Sequence, residues 1–148
     1  MTVVYVDMVA DLFHFGHANF LRAAREHGDY LKVGIHSDEV VRGYKRTPIL
    51  TMEERIGAVE SCRYVDEVLP NAPLSVSKEW ITTHGIDLVV HGDDFNEELL
   101  DLCYKDPVEM GIFRTVTYTP GISTTDIIAR CKAVALEYAL PCFAVPSS

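Results

Sequence analysis

Cysteine is scarce in this 148-residue chain and poorly spaced for metal. There are four, Cys62, Cys103, Cys131 and Cys142, and no two form a C-x-x-C pair. That excludes the common zinc-ribbon and zinc-finger patterns. Basic residues are outnumbered, 13 Lys and Arg against 22 Asp and Glu, for a formal net charge of −9. A nucleic-acid surface needs the opposite balance, yet a few local cations and helix amides can still hold a polyphosphate. No apolar run approaches the ~20 residues of a membrane span. The N-terminus enters a strand directly, with no basic segment ahead of an apolar stretch, so a cytoplasmic setting with free thiols is expected. Repeats, low-complexity tracts and linkers are also missing. One domain over 1–148 is therefore expected, with a core of about 2–138 and an irregular tail, 139–148, broken by Pro141 and Pro146.

What remains is an ordinary globular composition, 48% hydrophobic and 24% charged. "TVVYV" (2–6) is a near-continuous β-branched run of the kind found in buried parallel strands. Residues 18–27 put Phe20, Leu21 and Ala24 on one face and Arg22, Arg25 and Glu26 on the other, which predicts an amphipathic helix. "YLKVGIH" (30–36), "VDEVLP" (65–70), "DLVVHG" (87–92) and "FRTVTY" (113–118) read as further strands. Helices are expected over 37–43, from Thr51, over 77–84, over 107–111 behind Pro107, and from Ser123 to the tail. Thr51 with Glu54 and Ser123 with Asp126 have capping-box spacing. The alternation predicts an α/β fold, a five-stranded parallel sheet with helices on both faces in three layers. In such sheets the ligand sits outside the carboxyl ends of the strands.

The residues expected there are unusual for plain connections. "HFGH" (14–17) follows the first strand, with Gly16 allowing close approach and His17 in a helix's first turn, where amides favour anions. "HGDD" (91–94) follows the fourth strand and supplies Gly92, Asp93 and Asp94 as a turn with two acceptors. "TPGISTT" (119–125) offers Thr119, Gly121, Ile122, Ser123, Thr124 and Thr125, a second helix N-terminus with hydroxyls. Lys45 supplies a mobile cation, and Arg55 and Arg130 lie near helix starts. Together these parts describe a nucleoside triphosphate site. Any one of them alone reads more simply as packing or a helix start. His36, at the end of the second strand, is a weak pocket candidate, whereas Trp80 and His84 read as core and helix end.

His14-x-Gly16-His17, Lys45 followed by Glu54-Arg55, and Gly121-Ile122-Ser123-Thr124-Thr125 together resemble the cytidylyltransferase family of nucleotidyltransferases, over roughly residues 3 to 131. The first element alone is shared with adenylyl-transferring enzymes. "RYVDEV" (63–68), "GDD" and "GISTTDII" narrow the resemblance to enzymes that activate phosphoethanolamine, phosphocholine or glycerol 3-phosphate with CTP. It implies a Rossmann-like fold, with His14, His17 and Lys45 as catalytic residues on the triphosphate. It also implies a supporting role for Arg55, a hold on the β- and γ-phosphates by 121–125, and Asp93 or Asp94 near the cytosine or ribose. Mg²⁺ would arrive with the CTP phosphates and need no direct protein ligand. A homodimer would form through 63–68.

The chain departs from that family pattern in three places. Met8-Val9-Ala10-Asp11 replaces a G-[TC]-F-D stretch and keeps only the aspartate of this nucleotide-facing loop. Tyr118 stands where an arginine is expected, with Arg114 four residues earlier as a substitute. Leu74 stands where choline- and glycerophosphate-using members have tryptophan, which disfavours a quaternary ammonium. Asp7, Leu74, Lys78, Tyr104 and Arg114 are the candidate acceptor contacts. The expected activity is CMP transfer from CTP to a phosphoethanolamine-like phosphate or phosphonate. Glycerol 3-phosphate as acceptor, an adenylyltransferase, and a catalytically weakened nucleotide-binding protein are the alternatives.

Overall fold

A computed structural model describes residues 1–138; the expected tail, 139–148, lies outside the described residues. Strands β1 (Val3–Met8), β2 (Tyr30–Ile35), β3 (Glu67–Pro70), β4 (Leu88–Gly92) and β5 (Phe113–Val116) form one parallel sheet in the order β3-β2-β1-β4-β5. Helices α1 (Phe15–Arg25), α2 (Asp38–Arg42), α3 (Met52–Glu60), α4 (Lys78–Thr83), α5 (Glu97–Cys103), α6 (Lys105–Glu109) and α7 (Thr124–Tyr138) connect and flank it. The order reverses between β1 and β4, so crossovers leave in opposite directions and their carboxyl ends open a crevice.

Period-two alternation along β1 sorts the core. Val4 and Val6, fully buried, face one layer with Leu31, Val33, Ile35, Leu21, Ala24 and Val59, beneath α1 and α3. Tyr5 faces the other layer with Val76, Ile81, Val89, Cys103 and Tyr104, beneath α4 and α5. Gly34 has a packing reason, since a Cβ there would collide with the Tyr5 hydroxyl across the sheet. The three-layer architecture expected from the sequence is therefore present. No helix among the described residues is long and apolar enough to cross a membrane.

Several boundaries move. α1 begins at Phe15 rather than residue 18, because the His14 side chain caps it, and it ends at Arg25. α5 was not expected; Asn96 starts it by accepting the Leu99 N–H at 2.8 Å. Pro107 lies at the third position of α6 rather than at its start, still within the first turn where a missing N–H costs little. β5 stops at Val116, and β1 runs on to Met8. The Thr51/Glu54 box forms in both directions, at 3.2 and 3.0 Å. Its counterpart at α7 forms in one: Ser123 accepts the Asp126 N–H at 3.1 Å, while the Asp126 carboxylate pairs with Arg130 at 2.6 Å.

Candidate active site

Two adjoining cavities, of about 900 and 300 Å³, occupy the crevice at the carboxyl ends of β1 and β4. They share Asp7, Met8, His17, Lys45, His91, Asp94, Thr124 and Thr125, and so form one continuous site.

The two histidines cap their own helix reciprocally. His14 Nδ1 accepts the Gly16 N–H at 3.0 Å, and His17 Nδ1 accepts the His14 N–H at 3.1 Å. A backbone N–H can only donate, so both Nδ1 atoms are acceptors and the proton of each neutral ring sits on Nε2. The rings lie 3.9 Å apart, with Phe13 stacked on His17 at 5.5 Å. Burial lowers the pKa of His14. Burial first, then the charges of His14 and Lys45 against the opposing pull of Asp11, takes His17 down to about 4. Both rings are therefore neutral donors near pH 7. A Cβ on Gly16 would lie 2.8 Å from the His14 ring and 3.3 Å from Ile122, so any side chain here would push the His14 ring out of its cap.

Asp11 does not face a ligand with free oxygens. Its carboxylate accepts the Ile49 and Leu50 N–H groups, both at 2.9 Å, and the Arg46 guanidinium at 3.0 Å. Burial alone would raise its pKa, but these donors outweigh that and hold it below the ordinary carboxylate value. The flanking residues Ala10 (φ 59°) and Leu12 (φ 52°) are left-handed, the bend that turns the carboxylate toward residues 46–50. Asp11 thus anchors the segment carrying Lys45, whose side chain lines both cavities. Val9 and Ala10 line the larger one. Arg55, expected at the nucleotide, is fully buried and stands outside both linings. It donates to the Val9 and His36 carbonyls, each at 2.8 Å, and pairs with Asp38 at 2.6 Å. Its contribution is to hold two strand ends.

The hydroxyls at α7 divide. Thr124 donates to the Asp11 carbonyl at 3.0 Å and Ser123 caps the helix, which leaves Thr125 facing both cavities with its oxygen uncommitted among the described residues. Gly121 turns the chain at φ 82°. Thr119 lines the smaller cavity and accepts a bond from Asn19 at 2.7 Å. Of the two aspartates after β4, Asp93 accepts the Tyr118 N–H at 2.8 Å and shapes the loop, while Asp94 lines both cavities beside Gly92.

Two expected acceptor contacts are corrected. Arg114 donates to the Gly111 and Phe113 carbonyls, at 3.0 and 2.9 Å, and lines neither cavity, so it does not replace the arginine missing at Tyr118. Lys78 starts α4, where its backbone N–H binds Asp106 at 2.9 Å, and its side chain also lies outside both linings. Leu74, Asp7 and Tyr104 do converge on the larger cavity. Tyr104 donates to Asp7 Oδ1 at 2.6 Å, and its pKa is pushed well above 10, chiefly by burial, so it remains a donor. Sequence reasoning passed over Arg46, Tyr44 and His91, all of which line the cavity. His91 Nδ1 lies 2.7 Å from the Gly92 carbonyl, which orients its ring. The available signals were proximity to Lys45 and to "GDD". Among the described residues no group of three His, Cys, Asp or Glu side chains is placed to hold a metal ion.

Known proteins resemble this chain in sequence and in fold. The "Cytidylyltransferase-like" family model matches residues 8–130. An ethanolamine-phosphate cytidylyltransferase of Arabidopsis thaliana is 48% identical over 139 residues, covering 88% of this chain and 32% of that protein. A human choline-phosphate cytidylyltransferase A is 43% identical over 130 residues, covering 86% of this chain and 35% of that protein. The chain thus spans about a third of the length of these curated relatives. Among solved structures, a lipopolysaccharide core biosynthesis protein from Thermoplasma volcanium superposes with a TM-score of 0.65 at 22% identity, covering 82% of this chain and 99% of that one. That likeness speaks to the fold alone.

Proposed function

Because the chain belongs to the cytidylyltransferase-like family, we propose that it transfers CMP from CTP to a small phosphate- or phosphonate-bearing acceptor and releases pyrophosphate. The observation that carries this reading is the reciprocal histidine cap, which frees two neutral Nε2–H donors at a helix N-terminus beside Lys45 and Thr125. An acceptor oxygen attacks the α-phosphorus of CTP, the bond to the bridging oxygen breaks in line, and pyrophosphate departs. The nucleophile is already anionic, so the site needs no strong base. Positioned donors that meet the growing negative charge carry the barrier. His14 and His17 supply two of them, Lys45 a full charge, and the first amides of α1 and α7 the remainder. Asp11 and Arg55 keep the segments that present these groups in place. Mg²⁺ suits this site as a partner of the nucleotide: with Asp11 saturated, phosphate oxygens and water would hold it, and Asp94 and Asp7 are the carboxylates that line both cavities beside Lys45. Bound so, it would neutralise charge on the leaving pyrophosphate.

The acceptor best suited to the pocket is phosphoethanolamine or a similar aminoalkylphosphonate. Leu74 removes one aromatic wall from a cavity that keeps Tyr44 and Tyr104, and the buried Asp7 carboxylate in the same lining suits an amine. A homodimer through residues 63–68 and a cytoplasmic location belong to the same reading.

A pyrophosphate-release assay with CTP or ATP, across phosphoethanolamine, phosphocholine, glycerol 3-phosphate and aminoalkylphosphonates, tests the reading. The expected result is release with CTP and phosphoethanolamine; release with ATP alone overturns it. His14→Ala and His17→Ala each lower kcat about 10²–10³-fold, as loss of one transition-state donor does, and near wild-type turnover in both folded variants rejects the assignment.

A further inference from the structure

His36 follows β2 in the lining of the larger cavity, and its side chain is only 6% exposed. Its backbone is held from both sides, N–H to the Met8 carbonyl at 3.1 Å and carbonyl to Arg55 at 2.8 Å, so the ring has little freedom to move away. Nε2 lies 3.3 Å from Asp7 Oδ2, whose side chain is 3% exposed. That approach is not aligned as a hydrogen bond. Asp7 Oδ2 and His36 Nδ1 are both buried with no hydrogen-bond partner among the described residues. Asp7 also has no lysine or arginine partner among them, and Tyr104 satisfies only Oδ1.

Two unpartnered buried polar atoms, on neighbouring side chains of one cavity wall, are costly unless a ligand completes them. The nearby carboxylate favours the imidazole proton on Nε2, which leaves Nδ1 as an acceptor. Oδ2 and Nδ1 then present two acceptors and one negative charge. A primary ammonium has three N–H donors and matches that set. A trimethylammonium carries the same charge but no donor, and would leave both atoms unpaired.

We propose that His36 is a specificity-determining residue that, beside Asp7, selects acceptors with a primary amine over fully methylated ones. This rests on the transferase reading above and adds to it the group that reads the amine. Polar recognition of this kind discriminates strongly because the wrong ligand strands buried atoms.

The test uses His36→Ala and His36→Gln in the full chain, with CTP and a methylation series: phosphoethanolamine, its N-methyl and N,N-dimethyl forms, and phosphocholine. His36→Ala lowers kcat/KM for phosphoethanolamine about tenfold to a hundredfold. The loss appears in the acceptor KM, phosphocholine changes less than about threefold, and the KM for CTP stays within about twofold. The wild-type preference therefore flattens along the series. His36→Gln, whose amide can donate toward Asp7 and accept from the amine, retains most of the preference. An equal loss with every acceptor makes His36 a structural residue only and overturns the proposal, as does unchanged selectivity in His36→Ala. If the wild-type chain uses no acceptor of the series with CTP, the proposal is overturned; pyrophosphate release with glycerol 3-phosphate then still upholds the transferase reading, and none with any acceptor rejects both. Melting temperatures of both variants separate lost folding from lost recognition.

Discussion

Asp7 and Asp11 stand four residues apart on the same chain segment, both almost fully buried and both lining the same cavity. Their surroundings are opposite. Asp11 accepts from two backbone N–H groups and an arginine, and its charge is stabilised by the fold itself. Asp7 has one hydroxyl donor, an imidazole at 3.3 Å and an oxygen with no hydrogen-bond partner among the described residues. The difference separates two uses of a buried carboxylate. A saturated one fastens a loop, in this case the segment that carries Lys45. An unsaturated one stores an unmet electrostatic demand that a cationic ligand can relieve, so its cost in the free protein becomes affinity in the complex.

The sharpest way to break the comparison is to remove Asp11. Asp11→Ala leaves Ile49 and Leu50 N–H groups and Arg46 without their acceptor. It is expected to lower stability by about 2–4 kcal/mol in chemical denaturation and to reduce turnover with every acceptor alike, because Lys45 loses its support. The same residue predicts an acid limb. Its folded-state pKa is depressed, so its stabilisation is fully present above the unfolded carboxylate value near 4 and is lost as pH falls through the lower folded value. His17 adds loss earlier: its folded pKa of about 4 lies below the ordinary 6.5, so the unfolded chain binds that proton first and stability declines as pH falls through this window. Denaturation midpoints from pH 8 to pH 3 check both. A flat profile between 6.5 and 4 contradicts the burial argument for His17.

Asp7→Asn probes the other side. Removing an unpaired buried charge relieves desolvation, so stability is expected to hold or rise by about 1 kcal/mol. The KM for an amine-bearing acceptor rises about tenfold to a hundredfold while that for CTP holds. A loss of stability as large as that of Asp11→Ala would show that Asp7 is also an anchor and would erase the distinction. The smallest effects belong to the two expected acceptor contacts that line neither cavity. Arg114→Ala and Lys78→Ala should change kcat/KM less than about twofold and stability by no more than about 0.5 kcal/mol, the ordinary range for exposed positions. A tenfold loss of kcat/KM in Arg114→Ala would mean that this arginine does stand in for the one missing at Tyr118.

The sequence by itself determined the five strands, six of the seven helices and the polar motifs at their ends. A near-continuous β-branched run marks the first strand, "HFGH" and "GISTT" mark two helix starts, and Thr51 with Glu54 closes a cap, because each of these is a local relation between residues a few positions apart. Tertiary structure alone decided which polar groups were left free. Asp7 and Asp11 look alike in sequence, and only donors from 35 to 39 residues away saturate one, while the other meets a hydroxyl 97 residues away. Arg55 was drawn from the site for the same reason: the Val9 and His36 carbonyls it binds, 46 and 19 residues away, were set by where β1 and β2 end. Arg114 was held instead by carbonyls one and three residues before it. Hydrogen-bond saturation is a property of convergence in space, and local pattern carries no record of it.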